Sequence, residues 1–193
     1  VNYLMILKFI YQMRLTNILL IMFSFFSFNS TSQNSLISFY DLEIQSIDGK
    51  KIDFNMFKGK KVLIVNVASY CGFTGQYGAL EELYERFKDD LVVIGTPCNQ
   101  FGGQEPNSEK EIINFCSSKF GVSFLMTEKL NVKGDDQHPL YSWLTKKELN
   151  GKIQSSVKWN FQKYLIDENG ELLNYFLSTT SPTSSKIVSL IEQ

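Results

Sequence analysis

The chain has 193 residues, 44% hydrophobic and 20% charged, which suits one soluble domain with a hydrophobic core. Its formal net charge of −1 gives no reason to expect binding to nucleic acid or to an anionic membrane surface. With a single histidine, His138, and no CxxC pair or HExxH run, neither a metal nor a cofactor is expected. Three cysteines, Cys71, Cys98 and Cys116, form an odd set, so at least one free and reactive thiol should be present.

Arg14 precedes the apolar run Asn17–Phe28, and polar residues follow at once over Asn29–Asn34. A basic residue, a short apolar core and a small polar exit are the parts of a secretory signal peptide. The run is shorter than the roughly 20 residues of a spanning helix. Residues 1–33 are therefore read as signal peptide and upstream residues, with translation starting at Met13 or at an alternative codon for Val1. Residues 34–193 are read as the domain, with its mature start between about Ser30 and Ser38 and a secreted or periplasmic location. An uncleaved N-terminal anchor is the alternative. No cysteine near the exit supports a lipid anchor.

Phe39–Gln45 alternates as a strand, Asp48-Gly49 supplies a hairpin turn, and Lys51–Phe54 reads as the partner strand. Lys61–Ala68 is a β-branched run of the kind buried on both faces of a sheet. Gln76–Lys88 places Leu80, Leu83, Tyr84 and Phe87 at helical spacing. Leu91–Gly95 is a second buried strand. A helix follows from Ser108 to Phe120, where Ser108 and Glu111 make a capping box. His138-Pro139 opens a short helix. Lys158–Ile166 alternates as a strand, Asn169-Gly170 turns into a strand over Glu171–Phe176, and a last helix spans Thr183–Glu192. The order is hairpin, then β-α-β-α, then β-β-α. A strand-helix-strand unit gives a right-handed parallel crossover, and the closing hairpin adds antiparallel strands. The expected fold is α/β: a thioredoxin-like sandwich with a central mixed sheet, an N-terminal β-hairpin and flanking helices.

Cys71 falls just after the first buried strand and just before the first long helix. Ligands in open α/β sheets bind beyond the carboxyl ends of strands. Backbone N–H groups at a helix start favour the thiolate, the reactive form of cysteine. Gly72 and Gly75 keep the backbone near the sulfur open. Position alone is equally compatible with a buried structural cysteine. A dithiol exchange protein would carry a second cysteine three positions on, where this chain has Thr74. A lone activated cysteine suits chemistry that ends in a sulfenic acid.

Three motifs carry a resemblance. Asn66–Thr74 (NVASYCGFT) looks like the nucleophile motif of the glutathione peroxidases. Pro97–Pro106 (PCNQFGGQEP) is similar to their second motif, and Lys158–Phe161 (KWNF) matches their third. They occur in family order, and the resemblance runs from about Phe39 to the C-terminus. It implies a thioredoxin fold that reduces hydrogen peroxide and organic or lipid hydroperoxides. It also implies a catalytic tetrad of Cys71, Gln104, Trp159 and Asn160. The residue chemistry agrees: the two amides and the indole N–H can donate hydrogen bonds to a thiolate or a leaving oxygen. Without the motifs, Trp159 would read as core, and Gln104 and Asn160 as turn or surface residues.

A sulfenic acid must be cleared before it oxidises further. Cys116, in Ile112–Phe120, resembles the resolving cysteine of thioredoxin-dependent members, although its spacing alone fits an apolar helix face equally well. Cys98 resembles a family position with no obligatory role. The resemblance thus implies an intramolecular Cys71–Cys116 disulfide, formed after local unwinding of the Cys116 helix and reduced by a thioredoxin-like protein or glutathione. The short segment Asn131–Lys158 resembles monomeric members, and His138 resembles the family's His-Pro-Leu pair at a helix entry. No basic cluster is evident for glutathione carboxylates, which favours a protein reductant. Thr96 replaces the usual Phe and would make the site slightly more polar, and Tyr175 replaces a common Arg without an assignable consequence. A thiol-disulfide exchange protein and a peroxide-sensing redox relay remain the competing functions on this fold.

Overall fold

The computed structural model describes residues 36–193. The apolar run Asn17–Phe28 and the boundary at residues 33/34 lie outside the described residues. Among the described residues no helix is long and apolar enough to cross a membrane.

A five-stranded sheet in the order β5-β4-β3-β6-β7 divides the core. Its strands are β3 (Lys61–Val67), β4 (Leu91–Pro97), β5 (Leu125–Met126), β6 (Lys163–Ile166) and β7 (Leu172–Phe176). β3 pairs parallel with β4 and β4 with β5, while β6 and β7 run antiparallel, so the sheet is mixed as expected. The hairpin β1 (Glu43–Gln45) and β2 (Lys51–Asp53) forms a sheet of its own.

Period-two alternation sorts the strand side chains into two core layers. Val62, Ile64, Ile94, Tyr164 and Ile166 face one layer, which the hairpin and α3 (Pro139–Thr145) cover with Ile44, Ile52, Leu140, Tyr141 and Leu144. Leu63, Val65, Val67, Val93 and Leu165 face the other. Three helices close that second layer: α1 (Gln76–Phe87) through Tyr77, Leu80 and Leu83, α2 (Glu109–Phe120) through Ile112 and Cys116, and α5 (Ser185–Ile191) through Ile187 and Ile191. The short α4 (Lys147–Asn150) follows α3.

Local signals place the helix ends. The Ser108–Glu111 capping box forms, and Gly121 ends α2 in the left-handed conformation at φ 67°. His138 caps α3 by accepting from the Leu140 amide, with Pro139 in the first turn.

Three expected elements are shorter than their patterns. Phe39–Asp41 is a 3-10 turn capped by Ser38, and the strand begins only at Glu43, because Phe39 turns inward to stack on Phe54. Residues 158–162 are not a strand: β6 begins at Lys163, and the alternation before it belongs to a turn in which Phe161 adopts φ 63°. The last helix begins at Ser185 rather than Thr183, because Ser184 serves as its cap. The two-residue β5 and the four-residue α4 are too short to leave a periodic signal.

Candidate active site

Cys71 lies in a tight turn between β3 and α1, with only 8% of its surface exposed. The Thr74 hydroxyl accepts from the Cys71 amide at 2.9 Å and shares its proton between the carbonyls of Cys71 (2.7 Å) and Ala68 (2.9 Å). The position that would hold a second cysteine in a CxxC pair thus holds the turn together instead. Because α1 starts only at Gln76, the amide facing the sulfur belongs to this turn rather than to the helix: Phe73 N–H donates to Cys71 Sγ at 3.4 Å. That corrects the expected helix-terminus setting.

The second motif meets this turn directly. The Tyr70 amide donates to the Gln104 carbonyl at 3.1 Å, and Ser69 Oγ donates to Glu105 Oε2 at 3.0 Å. Consecutive left-handed residues, Gly102 at φ 65° and Gly103 at φ 63°, reverse the chain so that Gln104 returns toward Cys71. A side chain at either position would be strained there.

The third motif arrives from the other side of β3. Asn160 Nδ2 donates to Gln104 Oε1 at 3.1 Å, which joins two of the expected tetrad residues. Trp159 remains 40% exposed, with its ring 5.6 Å from that of Phe101. Neither amide nor the indole makes a hydrogen bond to the Cys71 sulfur among the described residues. Asn160 Oδ1, fully buried, has no hydrogen-bond partner among the described residues.

Asn66 was not singled out from the sequence, yet it shapes this part of the site. Its side chain donates to the Trp159 carbonyl at 3.1 Å and accepts from the Gln162 amide at 3.1 Å, and its carbonyl accepts from the Phe161 amide. This grip holds Phe161 at positive φ, the single non-glycine case among the described residues, and so directs Trp159 and Asn160. The available signal was one polar residue inside an otherwise β-branched run.

All three cysteines are free and buried. Cys71 and Cys116 share the helical core layer, whereas Cys98 packs in the opposite layer with Phe101 and Val132. Thr96 also faces that opposite layer and bonds Tyr141 Oη at 2.6 Å, so it does not make the Cys71 environment more polar. Burial pushes the Cys116 thiol up to about 11, partly offset by the neighbouring Tyr77 hydroxyl. Burial likewise raises the Glu105 carboxyl and the Cys98 thiol above their ordinary values. Lys163 is fully buried on the Cys71 side of the sheet, and desolvation lowers it to about 7. No group of three His, Cys, Asp or Glu side chains is placed to hold a metal among the described residues.

Comparison with known proteins bears on the family and the fold. A family model for glutathione peroxidase matches residues 39–145. The glutathione peroxidase-like peroxiredoxin 2 of Saccharomyces cerevisiae is 46% identical over 148 residues, which cover 76% of this chain and 91% of the yeast protein. The crystal structure of Trgpx in its apo form superposes with a TM-score of 0.64 at 41% identity, covering 82% of this chain and 98% of that one. A thioredoxin-family thiol:disulfide interchange protein from Chlorobium tepidum covers 81% of this chain and 96% of its own, with a TM-score of 0.58 at 14% identity, a likeness of fold alone.

Proposed function

The chain belongs to the glutathione peroxidase family and is a peroxide-reducing oxidoreductase, and we propose that Cys71 is the residue that attacks the peroxide. In this reading the Cys71 thiolate attacks one peroxide oxygen and the O–O bond breaks. The departing oxygen takes a proton and leaves as water or alcohol, and Cys71 becomes a sulfenic acid. Gln104, Trp159 and Asn160 supply N–H donors for the thiolate and the leaving oxygen. The observation that carries this assignment is the Asn160–Gln104 hydrogen bond, which draws the second and third motifs together while the Tyr70–Gln104 bond ties them to the Cys71 turn.

Cys116 is the proposed resolving residue. Its sulfur displaces the hydroxyl of the Cys71 sulfenic acid, which leaves as water with the Cys116 proton, and a disulfide forms. The shared core layer supports Cys116 over Cys98, which the sheet sets apart from Cys71. Cys116 lies inside a 12-residue helix with its thiol buried, so α2 must open locally for the two sulfurs to meet. A thioredoxin-like protein then reduces the disulfide, with glutathione as the alternative reductant and the chain acting as a monomer. Export by way of Asn17–Phe28 is proposed from the sequence pattern.

The test is peroxide turnover with thioredoxin against glutathione, on wild type, Cys71→Ser and Cys116→Ser, with non-reducing peptide mapping after peroxide. Cys71→Ser should be inactive, and Cys116→Ser should stop at the sulfenic acid. Full activity in Cys71→Ser, or a Cys71–Cys98 bond, would overturn the assignment.

A further inference from the structure

Lys163 opens β6 in the middle of the sheet, fully buried on the face that carries Cys71. It forms no salt bridge among the described residues, and its ammonium meets only neutral oxygens. Burying a lysine without an anion is costly, and an apolar side chain of similar length would fill the space with less penalty. What the nitrogen touches suggests why it is there.

Lys163 Nζ donates to Gln76 Oε1, to the Thr180 carbonyl at 2.7 Å and to the Ser178 carbonyl at 3.4 Å. Gln76 is the first residue of α1, and its amide donates to the Phe73 carbonyl at 2.8 Å, inside the turn that presents Cys71. Its side-chain Nε2 also donates to the Ser178 carbonyl, at 2.7 Å. Ser178 Oγ in turn donates to the Asn160 carbonyl at 2.6 Å, and Asn160 Nδ2 reaches Gln104. A continuous chain of bonds therefore runs from the Cys71 turn through Gln76, Lys163 and Ser178 to Asn160.

We propose that Lys163 is a positioning residue of the peroxide-reducing centre: its buried side chain clamps the start of α1 to the 178–180 turn and, through Ser178, fixes the Asn160 backbone relative to Cys71. This rests on the reading of Cys71 and Asn160 given above. Asn66 grips the neighbouring carbonyl of Trp159 from β3, and the Lys163–Ser178 arm grips Asn160 from the β7 side. Small displacements of groups that meet a reacting peroxide have large kinetic effects, whereas a simple alkylation needs only the thiolate.

The experiment measures two rates at Cys71 in the full chain: oxidation by hydrogen peroxide in a single turnover, and alkylation by iodoacetamide followed by mass spectrometry. Lys163→Met should slow the peroxide step about tenfold or more while alkylation stays within about twofold. Ser178→Ala should show the same split at about three- to tenfold. Because both act through one link, the double variant should be no more than about twofold slower than Lys163→Met alone. If Lys163→Met does not fold, Ser178→Ala and Gln76→Met must show the split by themselves. The proposal is overturned if folded Lys163→Met oxidises within twofold of wild type, if both rates fall in parallel, or if the two effects multiply independently. Persistence of wild-type peroxide turnover in Cys71→Ser would sink the underlying assignment, whereas loss there with an unaffected Lys163→Met sinks this inference alone.

Discussion

Replacing Asn66 by alanine removes two side-chain hydrogen bonds and leaves the Gln162 N–H and the Trp159 carbonyl without their partners. Each buried backbone group left unpaired costs about 1–3 kcal/mol. Trp159 is partly exposed, so its carbonyl can recover some hydration, which places that half at the low end. Relaxation of Phe161 from positive φ returns part of the 1–3 kcal/mol held in such a conformation, leaving a net loss of about 2–4 kcal/mol. For a domain of this size that corresponds to a fall in Tm of about 5–15 °C. The same change frees the Trp159–Asn160 segment to shift and Asn160 to leave Gln104. Differential scanning calorimetry reads the first effect, and single-turnover peroxide oxidation of Cys71 reads the second, with an expected loss of about tenfold or more. A Tm within about 2 °C of wild type together with an unchanged peroxide rate would refute the reasoning, because it would mean that the turn holds its shape without Asn66.

Lys163 makes stability depend on pH in a definite direction. Its value is lowered from 10.5 to about 7 in the fold, so between these limits the unfolded chain binds more protons. Its contribution is fully present above the ordinary lysine value and is lost as pH falls through about 7, so urea midpoints should rise from pH 6 to pH 9 in wild type and rise less in Lys163→Met. Cys116, with its thiol pushed up to about 11, should resist iodoacetamide in the native reduced protein at pH 8 and become reactive in urea. Native alkylation of Cys116 as fast as that of a free thiol would show that α2 opens without oxidation. Thr74→Val leaves the Cys71 amide and the Ala68 carbonyl short of a partner and should lower stability by about 1–3 kcal/mol, read by thermal denaturation. No change in Tm would mean that the turn does not depend on the hydroxyl.

Patterns of local origin were legible directly. The β-branched runs of β3 and β4, the helical spacing of α1, the Ser108–Glu111 capping box and the His138-Pro139 entry depend on neighbours within a few residues, and all appear as read. The place of Cys71 beyond the end of β3 was likewise legible, and so was the loss of a CxxC partner at Thr74. The segment Lys158–Gln162 shows where that reading stops. Its alternation is genuine, but a long-range grip from Asn66, over 90 residues away in sequence, turns it out of the sheet.

The sequence alone therefore determined the longer elements and their order, and set the candidate thiol Cys71 just beyond the end of β3, because propensity, capping and strand patterning are written locally. Only the tertiary structure decided which side of the sheet each cysteine occupies, since that depends on strand parity and on the pairing of β3 with β4 and β6. It also decided that the donor at the Cys71 sulfur is the Phe73 amide of a turn, and that a buried lysine stands behind Asn160. Those facts arise from groups brought together across the fold, where burial and hydrogen-bond satisfaction select partners that no local pattern specifies.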